Sequence, residues 1–194
     1  MVFNTCYNIY NTSVEIEMAR TKRNQDREDK REEIVAAARA LFIDEGYEST
    51  SMSRLAASAG VAPNTIYWYF KDKDEVLVAV LDAEFSDSAQ AYMELAESDP
   101  VDRLLWVAGQ LQRVNRLVST VHSRVEKSST IQEWHDQFHE LSEEILRLEL
   151  QQAGVAQAVL EARVKIGVFT IEGLLTHPLP DADRRAICAA LLKS

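Results

Sequence analysis

The residues best equipped for chemistry fall between Ser51 and Lys73. Asn64 and Thr65 follow Pro63, and an asparagine amide can bond both polar atoms of an adenine edge while a threonine methyl can meet thymine. Tyr67, Trp68 and Tyr69 come next, three rings that a single short helix cannot bury together. Ser51, Ser53 and Arg54, a little earlier, are placed to bond a phosphate backbone. A second group is His135 and His139, four apart, a spacing that can hold a metal on one helix face. That pair lacks the glutamate of a zinc-protease motif. Only one carboxylate-x-x-His step, Asp136 to His139, accompanies it where di-iron proteins need two, so no metal site is expected. There is no nucleophile motif and no glycine-rich phosphate loop, so neither an enzyme nor a bound cofactor is expected. Cys6 and Cys188 lie near opposite ends without zinc or disulfide spacing and read as reduced thiols.

Helices must position these residues. Gly and Pro are scarce, 6 and 4 of 194 residues, and 46% of the chain is hydrophobic, which argues against a many-stranded barrel or sandwich and for an all-α fold. Ile34, Ala37, Ala38, Leu41 and Phe42 repeat at three and four residues, predicting a helix from about Gln25 that ends at Gly46. Met52, Leu55, Ala56 and Ala59 predict a second, capped by Thr50 or Ser51. After the turn Gly60-Val61-Ala62, Pro63 opens a third helix running to Phe70. Leu55, Ala56, Ala59, Val61, Ile66 and Phe70 form the small core expected to fix the angle between the two. Longer amphipathic helices are expected at about 74–97, 101–127, 130–152, 155–176 and 181–193.

Two short helices joined by a glycine turn make a helix-turn-helix. The stretch from Arg31 to Leu77 resembles the N-terminal domain of the TetR (tetracycline repressor) family of transcriptional regulators. Its landmarks are Ala38 and Phe42, Gly46-Tyr47, Leu55-Ala56, Gly60-Val61, Thr65-Ile66-Tyr67, Tyr69-Phe70 and Lys73. The resemblance implies a DNA-binding surface of Ser51, Ser53, Arg54, Pro63, Asn64, Thr65, Tyr67, Trp68, Tyr69 and Lys73, with the lysine on a phosphate. One departure is Ala62, where many family members carry a capping Ser or Thr. It weakens the cap by about 1 kcal/mol and removes a phosphate contact.

Acidity would argue against a nucleic-acid partner, since the net charge is −10. That charge is unevenly distributed. Residues 1–17 carry −2, residues 18–73 carry 10 basic against 9 acidic side chains, and residues 74–194 carry 11 against 20. Arg20, Lys22, Arg23, Arg27, Lys30 and Arg31 form a basic arm that can follow phosphates or a minor groove. Residues 1–17, without Lys or Arg, are expected to precede the natural start at Met18. No secretion signal or membrane span is read, so a cytoplasmic protein is expected.

Three divisions are expected: a disordered tail and basic arm over 1–24, the helix-turn-helix DNA-binding domain over 25–73, and an effector-binding and dimerisation domain over 74–194. The resemblance implies a homodimer formed by the last two helices, carrying Val159, Val164, Gly167, Val168, Ile171, Gly173, Leu174, Leu175, Ile187, Ala190 and Leu191. Candidates for lining a small-molecule effector site are Phe85, Tyr92, Trp106, Gln110, His122, Trp134, Phe138, His139 and Phe169, and Glu126 or Glu172 could select a cation. The expected function is a ligand-responsive regulator, a repressor on a palindromic operator. The alternatives are a helical small-molecule- or metal-binding protein in which DNA contact is secondary, and a TetR-like activator.

Overall fold

The computed structural model describes residues 24–177 and 179–193. Cys6, Met18, Arg20, Lys22 and Arg23 lie outside the described residues. Among those described, every regular element is helical: α1 (24–44), α2 (Met52–Ser58), α3 (Pro63–Ile66), α4 (Lys73–Met93), α5 (Pro100–Arg113), α6 (Asn115–Arg124), α7 (Ser129–Gln152), α8 (Leu160–Thr176) and α9 (Asp181–Leu192). The all-α expectation holds. Gly46, Gly60 and Gly154 mark helix ends at φ of 90°, 65° and 82°, values that favour glycine.

Local signals set the helix starts. Ser51 caps α2 by accepting from the Arg54 N–H at 3.1 Å, and Asp72 caps α4 by accepting from Glu75 at 3.0 Å. Asp99 accepts from the Val101 N–H, and Pro100 occupies the first position of α5. Ala62 gives α3 no side-chain cap, as its methyl requires.

Two hydrophobic cores result. The first unites Ile34, Ala38, Leu41, Phe42, Leu55, Ala56, Ile66 and Phe70 with α4 and with Leu117, Val121 and Ile131 from α6 and α7. The second joins Leu104 and Ala108 of α5, Leu146 and Leu150 of α7, Val164 and Leu174 of α8, and Cys188 and Leu191 of α9. Gly167 lets α8 approach closely within the chain. A Cβ there would lie 2.4 Å from Leu146 Cδ2 and 3.1 Å from Leu191 Cδ2.

Four helix bounds differ from the sequence expectation. Helix α4 ends at Met93 rather than near 97, residues 94–97 continuing as a turn. The expected helix 101–127 breaks at Val114, whose φ of −105° and ψ of 26° leave the helical region and separate α5 from α6. The break turns Arg113 toward Glu84 at 3.0 Å and Arg116 toward the carbonyls of Ile43 and Asp44 at 2.9 and 2.7 Å. Helix α3 stops at Ile66 rather than Phe70. Residues 67–69 form a tight turn in which Trp68 and Tyr69 donate to carbonyls three residues back, and Phe70 swings into the core. Helix α8 starts at Leu160 rather than near 155, because Val155 folds back after Gly154. Its N–H donates to the Leu150 carbonyl at 3.0 Å and its side chain enters the second core.

Candidate functional site

Ile66 and Phe70, one helical turn apart, are fully buried and pin α3 to α2. What they turn outward is Tyr67 and Trp68, which are 54% and 78% exposed. Pro63 and Asn64 are also exposed, and Thr65 is half-buried. Tyr69 is half-buried against the first core, so one of the three rings is packed and two stand in water. Ser51, Ser53 and Arg54 are exposed at the start of α2. Arg54 is paired with Glu45 at 2.7 Å, in the open, where such a pair is easily exchanged. Polar, basic and aromatic groups thus share the outer ends of two short helices. Such a surface can bond phosphates, bond base edges and stack.

Lys73 has a second employment. Its Nζ donates to the carbonyls of Tyr47 at 2.8 Å and Thr50 at 3.0 Å, and lies 4.0 Å from the centre of the Tyr47 ring. Burial pulls its pKa below the usual lysine value. The amine therefore ties the loop between α1 and α2 to the start of α4. Arg31 of the expected basic arm lies over Phe70 at 5.2 Å, and Lys30 pairs with Glu33.

The same junction is gripped from α6. Arg124 donates to both oxygens of Asp74 at 2.8 Å, and the Tyr47 hydroxyl donates to Asp74 as well. Burial would raise the Asp74 carboxyl, but these bonds outweigh it and hold the group below the usual carboxylate range. With Arg116 on the end of α1, α6 becomes a strut between the helix-turn-helix and the rest of the chain. Neither arginine stood out in the sequence, because their partners lie 50 or more positions away.

The effector candidates separate into two groups. Tyr92 and Trp106 lie 6.1 Å apart beside a buried ion pair, Arg103 with Glu149. The Tyr92 hydroxyl donates to Glu149, and burial together with that bond pushes its pKa up to about 12. Phe85, Trp134 and Phe138 pack together, with Trp134 stacked on Phe138 at 5.2 Å and its indole N–H donating to Asp82. His139 meets the edge of Phe138. Burial, then the neighbouring His135, pushes the His139 pKa down and favours its neutral ring. Gln110 accepts from Arg113 at 3.3 Å. Phe169 joins neither group; it is 71% exposed on α8. An open polar groove lies between α7 and α8, lined by His135, Asp136, His139, Glu140, Glu143, Lys165 and Glu172. Of the nine effector candidates only His139 lines it. The spacing of 135, 136, 139, 140 and 143 along one helix face was the available signal for the others.

Residues 34–80 match the family model for bacterial regulatory proteins of the tetR family. That segment of the chain is a TetR-family N-terminal region. Over an alignment of 87 residues the chain is 34% identical to the HTH-type transcriptional regulator AcrR of Shigella flexneri, covering 45% of this chain and 40% of that one. The chain thus spans less than half the length of that curated relative. A longer alignment, 28% identical over 180 residues, joins 87% of it to 84% of the regulator SrpR of Pseudomonas putida. Among solved structures, a transcriptional regulator from Rhodococcus sp. Rha1 shares this fold with a TM-score of 0.68 at 19% identity, over 84% of this chain and 93% of that one. Among the described residues no helix is long and apolar enough to cross a membrane.

Proposed function

We propose that this protein is a homodimeric repressor of the TetR family that binds a palindromic DNA operator and is released by a small-molecule effector. The observation that carries the reading is the joint exposure of Tyr67 and Trp68, in the turn after α3, and of Asn64, Ser51, Ser53 and Arg54 at the starts of α3 and α2, while Leu55, Ala56 and Ile66 of the same helices are buried. Large exposed rings flanked by hydrogen-bonding and basic groups suit a polar, stackable, anionic partner. Pro63, Thr65 and Tyr69 shape the same surface, and Lys73 serves it by holding its scaffold, with one amine hydrogen still free for a phosphate.

Dimerisation is supported by the outward face of α8 and α9. Ile166 and Phe169 of α8 and Ile187 of α9 are exposed, as is Val159 just ahead of α8, whereas Val164, Gly167, Leu174 and Leu191 are spent on the chain's own core. A second copy covering the exposed set supplies the two-fold symmetry that palindromic sites require. Replacing Phe169 by Asp should turn the dimer into monomers in sedimentation while leaving the helical content intact. A wild-type chain that sediments as a monomer would remove the dimer from the proposal.

Effector release would run through α6. A ligand among the aromatic groups of α4, α6 and α7 shifts the population of α6 positions, and Arg116 and Arg124 carry the shift to the helix-turn-helix. The direct test is selection of DNA fragments from a random pool by the purified protein. Enrichment of an inverted repeat supports the reading, and recovery of unenriched sequence opposes it.

A further inference from the structure

Three of the chain's four histidines converge from two helices. His122 lies near the end of α6, and His135 and His139 lie one turn apart on α7. One ring nitrogen from each falls within 4.8 Å of the other two. The ring centres of His135 and His139 are 4.4 Å apart, and those of His122 and His135 are 5.7 Å apart. The sequence spacing offered only the α7 pair; the third member comes from a helix whose separate existence depends on the break at Val114.

We propose that His122, His135 and His139 form a binding site for a divalent transition-metal ion of the zinc class. Imidazole nitrogens suit zinc, cobalt, nickel and copper, whereas magnesium and calcium take oxygen ligands. Tetrahedral ligation at about 2.0–2.1 Å places ligand nitrogens about 3.3 Å apart. The ring nitrogens therefore need to close by at most about 1.5 Å, within reach of side-chain rotation by the exposed His122 and the half-buried His135 and His139. Carboxylates of the kind that orient ligating imidazoles are at hand: Asp136 Oδ1 lies 3.4 Å from His135 Nδ1, and Glu172 Oε1 lies 3.9 Å from His139 Nε2. Three protein ligands leave a fourth position for water or for Glu172. Packing alone gives little reason for the arrangement, since His122 is exposed and the other two rings are only half-buried.

The ion would clamp α6 to α7, and α6 carries the arginines that hold the helix-turn-helix. Its influence on DNA rests on the DNA-binding function proposed above; the site itself does not.

The test is titration of the full chain with Co²⁺, read by visible absorption and confirmed by Zn²⁺ displacement. One equivalent per chain is expected. His122→Ala, His135→Ala and His139→Ala should each weaken binding at least tenfold with helical content preserved by circular dichroism, and His177→Ala should bind as the wild type does. Absence of saturable uptake, or uptake unchanged in His122→Ala, overturns the site. In a second arm, Zn²⁺ should change affinity for the selected DNA at least fivefold in the wild type and not in His122→Ala. Normal cobalt binding with unchanged DNA affinity overturns the coupling through α6 while leaving both the site and the DNA-binding reading in place.

Discussion

Both halves of the molecule leave a large aromatic side chain in water, and their surroundings differ. Trp68, beyond the end of α3, follows Asn64 and Tyr67, and Ser51, Ser53 and Arg54 are exposed at the start of the adjoining α2. Phe169, on α8, shares its exposed strip with Ile166, and Val159 and Ile187 lie exposed nearby in the chain's last third. A mixed polar and aromatic surface matches nucleic acid, and a predominantly apolar strip matches a protein face. The halves also differ inside. The first core is tied to its neighbours by charged groups at its rim, Lys73, Arg116 and Arg124, whereas the second encloses a charged pair, Arg103 at 5% exposure against Glu149 at 8%. Charge at the rim can transmit movement, and charge inside fixes geometry.

The largest expected effect is therefore in the second half. Arg103 also donates to the carbonyls of Ala96 and Ser98, so Arg103→Ala leaves Glu149 buried without its cation. A loss of about 3–5 kcal/mol in urea unfolding is expected. A loss under 1 kcal/mol would show that the pair is not what fixes this region. Next is Gly167→Ala, where the new methyl meets Leu146 and Leu191; overpacking should cost about 1–3 kcal/mol in the same measurement.

The rim is probed by pH. The folded Asp74 carboxyl lies below its ordinary range, so the native protein binds fewer protons there than the unfolded chain does. Its contribution is complete above the unfolded value near pH 4 and is lost as pH falls through the depressed folded value. Asp74→Asn should cost about 1.5–3 kcal/mol at pH 7, and the gap between wild type and variant should close below about pH 4. A gap that stays constant to pH 3 would mean that Asp74 acts by packing rather than charge. The smallest effect on stability is expected for Trp68→Ala, within about 0.5 kcal/mol, because a ring 78% exposed holds nothing together.

The two halves were unequally legible. Within α2 and α3 the shaping contacts are local, so Ile66 and Phe70, the Ser51 cap and the glycine at 60 could be read from spacing and turn chemistry. The end of α3 could not, because Tyr67 to Tyr69 leave the helix so that Tyr69 packs and Phe70 is buried. The break at Val114 carries no Gly or Pro; it is enforced by the distant partners of Arg113 and Arg116. The apolar run after Val159 was legible as surplus hydrophobicity, but which residues face inward is decided by Gly167 against Leu146 and Leu191, across three helices. The third histidine was hidden for the same reason.

The central claim is that the outer surface of α2 and α3 reads DNA. It is tested most directly by the affinity of the purified full-length protein for its selected fragment across a salt series, wild type beside Trp68→Ala. The account predicts a logarithm of affinity that falls linearly and steeply with the logarithm of salt, and a variant at least tenfold weaker at every salt concentration with an unchanged unfolding midpoint. Binding that ignores salt, or a Trp68→Ala variant that binds as tightly as the wild type, would contradict it.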